Sequence, residues 1–310
     1  MPWYTAWDGT STERPHRVAD RVGPMTKAYE EELVSIEAED GLPLDGAVIR
    51  PVGRAPHHVP LMYVHGLSFR FYAREILAIG RALAGHGYTF VTGNNRGHDG
   101  GYSYRPDPNA LPQIYGGSWE NIFDAPRDIS AWIAFTVGLG FNRVALLGHS
   151  LGGRKVVPYQ AENNDPRVAG LVLASPPVDS YRPNAEVTRQ ARAWVAEGRG
   201  MDLLPWGVTG AAMRTMSAQG YLDRYQPGWD HFGLEDPDPA IGRVRCPVLA
   251  FYGTEEPAVG GAAELEMIRA RACAAARVET HLIDGADHTY TGKHDAVGRI
   301  LAGWMGTLAP

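Results

Sequence analysis

The sequence predicts an α/β fold, a mainly parallel eight-stranded sheet with helices on both faces and one insertion. Short apolar runs of strand length alternate with longer stretches whose apolar residues recur at helical spacing, the pattern of parallel strands joined by right-handed crossovers. One such run, Val144-Ala145-Leu146-Leu147, leads directly into Gly148-His149-Ser150-Leu151-Gly152, with Gly153 next. The alternation then breaks once, between Asp179 and Ile241, before strand-like residues resume at Val248.

The elements follow in order. Glu31 to Ile36 and Ala47 to Ile49 flank the turn signal Asp40-Gly41-Leu42-Pro43, which predicts an antiparallel hairpin opening the sheet. Val59 to Val64 reads as a buried strand ending in His65-Gly66-Leu67. Ile76, Leu77, Ile79, Ala82 and Leu83 give a helical stripe over Tyr72 to Ala84, closed by Gly85 and Gly87. Tyr88 to Thr92 is the next strand and runs into Asn94-Asn95-Arg96-Gly97-His98. Tyr102 to Ser118, rich in Pro, Gly and Tyr, reads as a loop near the strand ends. A helix over Ala125 to Val137 returns the chain to the strand at Arg143 to Leu147. Later come a strand over Val168 to Ala174, a strand over Val248 to Tyr252 and a helix over Ala262 to Ala275. A strand over Val278 to Ile283 and a helix over Val297 to Trp304 close the chain. The organisation is an arm over residues 1–27, a core over 28–177 and 244–310, and a cap over 178–243. Trp3, Tyr4 and Trp7 would anchor the arm.

Composition narrows the function. At 44% hydrophobic and 21% charged the chain is ordinary globular protein, and a formal charge of -6 argues against nucleic acid or an anionic membrane as partner. The two cysteines are too few for a disulfide framework, and Cys246 and Cys273 read as packing residues. No C-x-x-C or H-E-x-x-H spacing occurs, so neither metal nor cofactor is expected. Met1 to Asp8 has no basic start and no apolar run, which predicts a cytoplasmic protein. The expected partner is a small molecule, and a homo-oligomer is compatible with the sequence.

A glycine-flanked serine between strand and helix is chemically purposeful. The tight turn pushes the hydroxyl of Ser150 clear of the sheet at a helix N-terminus, where unpaired N–H groups favour negative charge. A serine hydroxyl is a poor nucleophile near neutral pH, so it needs a base, and the base needs an orienting acid. His288, in Gly285-Ala286-Asp287-His288 just past the last strand, stands at the carboxyl edge of the sheet. His231 lies in the insertion, His281 within a strand, and His294 at the start of the last helix. The acid should follow the strand ending at Tyr252. Glu256 in Gly253-Thr254-Glu255-Glu256-Pro257 is favoured over Glu255 and over Asp179, which follows the preceding strand. Two N–H groups would receive an oxyanion, those of Leu151 and Leu67, with Ser68 serving either as a further donor or as a helix cap. Trp194, Trp206 and Trp229 either line a roomy apolar pocket or form the insertion's own core.

From about residue 40 to 305 the chain resembles the α/β-hydrolase superfamily, in its serine esterase-like branch. The His65-Gly66 turn, Arg96-Gly97-His98, Gly148 to Gly152, Gly253 with Glu256, and His288 carry the likeness in order. Glutamate at the acid position is a departure, since aspartate is commoner there. The resemblance implies acyl transfer to water through an acyl-Ser150 intermediate on an ester, lactone or thioester. C–C bond hydrolysis and acyl transfer to an alcohol or amine use the same three residues and stay open, as does a binding or cyclase role for the fold. The resemblance also implies that Arg96 and His98 brace their loop. Arg154 and Lys155, in the first turn after the elbow, read as solvated or paired cations, with an anionic substrate tail as the sharper reading.

Overall fold

The computed structural model describes residues 28–105, 109, 111–178, 183–205, 215–225 and 229–309. Its main sheet contains β1 (Tyr29–Glu37), β2 (Pro43–Pro51), β3 (Leu61–Val64), β4 (Phe90–Gly93), β7 (Val144–His149), β8 (Val168–Ala174), β9 (Val248–Gly253) and β10 (Val278–Ile283). The strand order is β1-β2-β4-β3-β7-β8-β9-β10. β1 and β2 form the predicted antiparallel hairpin, β2 pairs antiparallel with β4, and from β4 to β10 every neighbouring pair is parallel. The sheet is therefore eight-stranded and mainly parallel, as the alternation predicted.

A parallel sheet covered on both sides needs strands that are apolar on both faces, and the central strands β3, β4, β7, β8 and β9 are buried throughout. In β7, Val144 and Leu146 join one core while Ala145 and Leu147 join the other; in β3, Met62 and Val64 oppose Leu61 and Tyr63 in the same way. The first core is closed by α2 (Ala125–Gly138), α3 (Gly153–Asn163) and α6 (Ala262–Arg271), the second by α1 (Arg74–Gly85) and α7 (His294–Met305). The helical stripe read from the sequence is the buried face of α1, where Ile76, Ile79 and Leu83 are inaccessible. Each such side chain contributes about 1.5–3 kcal/mol through burial.

Three local readings need correction. The predicted loop between Tyr102 and Ser118 carries a small hairpin, β5 (Tyr102–Tyr104) with β6 (Gln113–Tyr115). Residue Ala73, rather than Ser68, caps α1. Helix α6 stops at Arg271, so Cys273 lies past its end and is exposed instead of packed. The segment between β8 and β9 folds around α4 (Ala185–Ala196) and α5 (Ala218–Arg224), with Asn184 and Ser217 as side-chain N-caps. It has its own cluster of Val187, Ala191, Leu204, Met216 and Tyr221. It is joined to the loop after β6 by Ser217 N–H to the Ser118 carbonyl at 2.7 Å and Trp119 Nε1 to the Met201 carbonyl at 2.9 Å. The predicted arm, residues 1–27, lies outside the described residues.

Trp132 of α2 lies against the bare backbones of Gly46 and Gly93 and donates its indole N–H to the Asn94 carbonyl at 2.9 Å. It ties the hairpin to the parallel strands. Trp132→Ala should therefore cost about 3–5 kcal/mol, read as a lower urea midpoint, with Trp132→Phe losing less.

Candidate active site

Ser150 is held at φ 54°, the left-handed conformation that favours glycine. The turn fits only because its neighbours lack side chains. A Cβ on Gly148 would run into the Gly152 carbonyl, and one on Gly152 into the Val64 carbonyl of β3. Gly66 serves the same turn from the other side, for a Cβ there would come 2.9 Å from Ser150 Cβ and 3.2 Å from the Leu151 nitrogen. The His65-Gly66-Leu67 loop is thus pressed against the first residues of the turn. Leu67, Leu151, Ile122 and Trp229 pack together over it as one apolar cluster.

From Ser150 a chain of hydrogen bonds crosses the carboxyl edge of the sheet. His288 Nε2 is 3.0 Å from Ser150 Oγ, and His288 Nδ1 is 2.6 Å from Glu256 Oε2. The other carboxylate oxygen, Oε1, accepts from Gly253 N–H at 2.6 Å and from Ser175 Oγ at 2.5 Å. Glu256 is buried, while His288 is about one third exposed on its side chain at 35%. This is the arrangement in which a hydroxyl is activated by an imidazole whose tautomer a carboxylate fixes.

Two further histidines frame the site, and both are held neutral. His149 Nε2 donates to the His288 carbonyl at 2.8 Å, which fixes the loop carrying the imidazole. Burial, with the His288 ring nearby, brings the pKa of His149 down to about 3. His65 accepts the Asn95 N–H at Nε2 over 3.1 Å, so its Nδ1 carries the proton and donates to the Gly66 carbonyl at 2.8 Å. Burial, and then the charge of Lys155, push its pKa well below the ordinary value. His231 is buried against Trp229 at 5.1 Å and brought down to about 3 by burial and the Arg154 charge.

A buried charged layer lies beneath the loops. Lys155 pairs with Glu120 and donates to Asn95 Oδ1 at 3.0 Å. Arg96 forks onto Asp128 at 2.7 Å and reaches Asp40 at 3.0 Å, which raises its pKa despite burial. Arg154 donates to the carbonyls of Pro177 at 2.9 Å and Trp229 at 2.5 Å, with its guanidinium 5.0 Å from the Trp229 ring. Neither cation following the elbow is solvated; both are buried and spoken for.

The tryptophans part company. Trp229 is buried on Leu151, whereas Trp194 packs with the α4–α5 cluster and under Arg199 at 4.2 Å. Trp206 and Asp179 lie outside the described residues. The sequence reading did not single out Ser175, His149 or Glu120. Ser175 follows β8 directly, but its nearness to Glu256 depends on β8 and β9 being sheet neighbours. Among the described residues no cluster of His, Cys, Asp and Glu is placed to hold a metal ion, and no helix is long and apolar enough to cross a membrane.

Residues 61–299 match the model of the alpha/beta hydrolase family. The chain belongs to that family. No curated protein matches the sequence at the level required, but solved members of the fold superpose over most of its length. The esterase Est1E of Butyrivibrio proteoclasticus, solved with ferulic acid, is 18% identical with a TM-score of 0.62 over 89% of this chain and 98% of its own. A monoglyceride lipase of Saccharomyces cerevisiae is 15% identical with a TM-score of 0.63 over 93% and 99%. An esterase of Pyrococcus furiosus is 15% identical with a TM-score of 0.59 over 96% and 100%. At such identities the likeness establishes the fold of this hydrolase-family chain.

The buried neutral histidines make stability depend on pH. Below about 6.5 the unfolded chain takes up protons that the folded chain refuses, so stability falls as pH drops from about 6.5 towards 3, by about 1.4 kcal/mol per pH unit per histidine. His149→Gln removes one such group. Urea unfolding between about pH 6 and 4 should then show a slope shallower by about one proton.

Proposed function

We propose that the protein hydrolyses a carboxylic ester, lactone or thioester through an acyl-Ser150 intermediate. The observation that carries this is the unbroken chain Ser150 Oγ, His288 Nε2, His288 Nδ1, Glu256 Oε2, at 3.0 and 2.6 Å. His288 Nε2 takes the proton of Ser150 Oγ as that oxygen bonds the substrate carbonyl carbon. The negative charge that develops on the carbonyl oxygen falls to the backbone N–H groups of Leu151 and Leu67, a reading supported by how closely Gly66 lies against the Leu151 nitrogen. His288 then gives its proton to the departing alcohol or thiol. Water, deprotonated by the same nitrogen, releases the acid and restores Ser150. Glu256 stays ionised throughout, holding the tautomer and offsetting the imidazolium charge.

The substrate is read from what surrounds Leu151. Ile122, Trp229 and Leu67 present an apolar wall, which suits an apolar or aromatic acyl or alkoxy group. The segment over residues 178–243 acts as a cap over the carboxyl edge of the sheet, with Trp229 in contact with the elbow. The monoglyceride named for one structural neighbour is a carboxylic ester, and the ferulic acid bound to another is a carboxylic acid of the kind ester hydrolysis releases, which supports this class of chemistry.

Ser150→Ala should lower kcat by about 10³-fold or more and abolish labelling by a fluorophosphonate, with the fold intact by circular dichroism. Glu256→Gln should be crippled near neutral pH by up to about 10⁴-fold. A folded Ser150→Ala protein that keeps a tenth of its activity overturns the mechanism.

Trp229→Ala should change the preference among p-nitrophenyl esters of different acyl length by about tenfold in kcat/KM, as removal of several buried methylene equivalents would. Trp194→Ala, within the insertion's own packing, should leave the profile alone. The reverse ranking across the ester panel would relocate the pocket.

A further inference from the structure

Two residues beside the catalytic chain occupy left-handed backbone without being glycine. Ser175 has φ 48° and Tyr290 has φ 59°. Such conformations are costly and persist only where the surroundings over-determine them. Ser175 is the first residue after β8, and Tyr290 comes two residues after His288, yet both side chains end at one point. Ser175 Oγ is 2.5 Å from Glu256 Oε1 and 2.5 Å from the Tyr290 hydroxyl. All three residues are buried, at 0%, 4% and 1% exposure for Ser175, Glu256 and Tyr290.

The direction of the hydrogen bonds follows from what each group can do. Ionised Glu256 can only accept, so the Ser175 hydroxyl donates to it. Ser175 then has only lone pairs left for Tyr290, so the phenol donates to Ser175. Burial holds the Tyr290 phenol well above its ordinary pKa, which keeps it a donor. The ionisable groups packed around the pair are Tyr63 on β3, His149 on β7 and Tyr252 on β9. Burial pushes both tyrosines up and holds His149 down, so all three are neutral near pH 7.

We propose that Tyr290 and Ser175 are positioning residues, a relay of two hydroxyls that clamps one oxygen of Glu256 so that the other faces His288. The proposal rests on the acyl-serine reading above. Its physical need is clear from the acid itself. A glutamate has one more rotatable bond than an aspartate, and its carboxylate must be held by something outside its own backbone. Gly253 N–H and the relay hold it from two sides. Because Tyr290 sits on the loop that carries His288, the same relay ties the base to the acid. No proton moves along it during turnover.

The test is steady-state kinetics with p-nitrophenyl acetate on Tyr290→Phe, Ser175→Ala and the double variant, with proton NMR of the His288 Nδ1–H. Ser175→Ala should lower kcat about tenfold and Tyr290→Phe about three- to tenfold, with KM within about twofold. The double variant should cost no more than Ser175→Ala alone, since the relay acts as one unit. The downfield imidazole proton should shift or broaden in all three. Ser175→Gly guards against misfolding, because it relieves the strained φ while deleting the hydroxyl. It should melt no lower than Ser175→Ala and be as slow. Values of kcat within twofold of wild type, losses that multiply in the double variant, losses confined to KM, or a fast Ser175→Gly would each overturn the relay. Fluorophosphonate labelling separates the two readings. A wild-type protein labelled at Ser150 whose relay variants are unaffected loses only the relay, whereas an unlabelled wild type with an active Ser150→Ala variant loses the mechanism and the relay together.

Discussion

The site depends on how closely three backbones meet at the carboxyl end of β7. Ser150 can hold its strained φ only if Gly148, Gly152 and Gly66 leave room for carbonyls and for each other. That crowding does three things at once. It lifts the hydroxyl off the sheet, puts the start of α3 beneath it, and brings the loop after β3 alongside the Leu151 nitrogen. A parallel sheet makes this affordable, because β3, β7, β8 and β9 all end on the same side and their loops are neighbours. Ser150, Glu256 and His288 therefore arrive from separate crossovers and need only short loops to meet.

Beneath those loops the protein buries charge instead of apolar side chains. Lys155 and Glu120 are almost wholly inaccessible, and Asp128 is buried with the Arg96 fork on it. Taking such ions out of water costs several kcal/mol each, and the attraction between partners roughly offsets it, so these pairs are poor sources of stability. What they supply is direction. Arg96 joins the loop after β4 to α2 and to the turn of the β1–β2 hairpin through Asp40, while Lys155 joins α3 to the loops after β4 and β6. Charged hydrogen bonds tolerate little displacement, so the loops that approach Ser150 are fixed from below. The Arg-Gly-His loop is braced through Arg96, and Lys155, read in sequence as a solvated or paired cation, is paired with Glu120 and is part of the same support.

The sheet was legible because its central strands are buried on both faces and read as near-unbroken apolar runs, and the elbow because its glycines stand where backbones meet too closely for a side chain. Gly253 was legible for a similar reason: a side chain there would strike the Ala286 carbonyl, so the glycine that ends β9 marks the passage of the His288 loop. What stayed hidden was what depends on strand order. Ser175 and Glu256 are neighbours only because β8 and β9 pair, and Glu120 meets Lys155 across loops that no periodicity describes. The insertion was visible as a break in alternation, yet nothing in its composition distinguished Trp229, packed on Leu151, from Trp194, packed within α4 and α5. Aromatic content reports that a core exists and is silent on which core.

Glutamate at the acid position looked in sequence like a departure needing a small loop shift. In the structure the loop supplies its own accommodation. The longer side chain lets the carboxylate turn back onto the N–H of Gly253, three residues upstream, while its other oxygen reaches forward to His288. An aspartate at the same backbone position would fall short of one of these partners by about a carbon–carbon bond, unless β9 ended later or the His288 loop moved in. Neither shift is open, because Gly253 is already in contact with Ala286 and the imidazole loop is pinned by His149. The choice of glutamate is therefore set by the spacing between a strand end and a loop, and that spacing is fixed by a glycine and a neutral histidine lying outside the hydrogen-bonded chain.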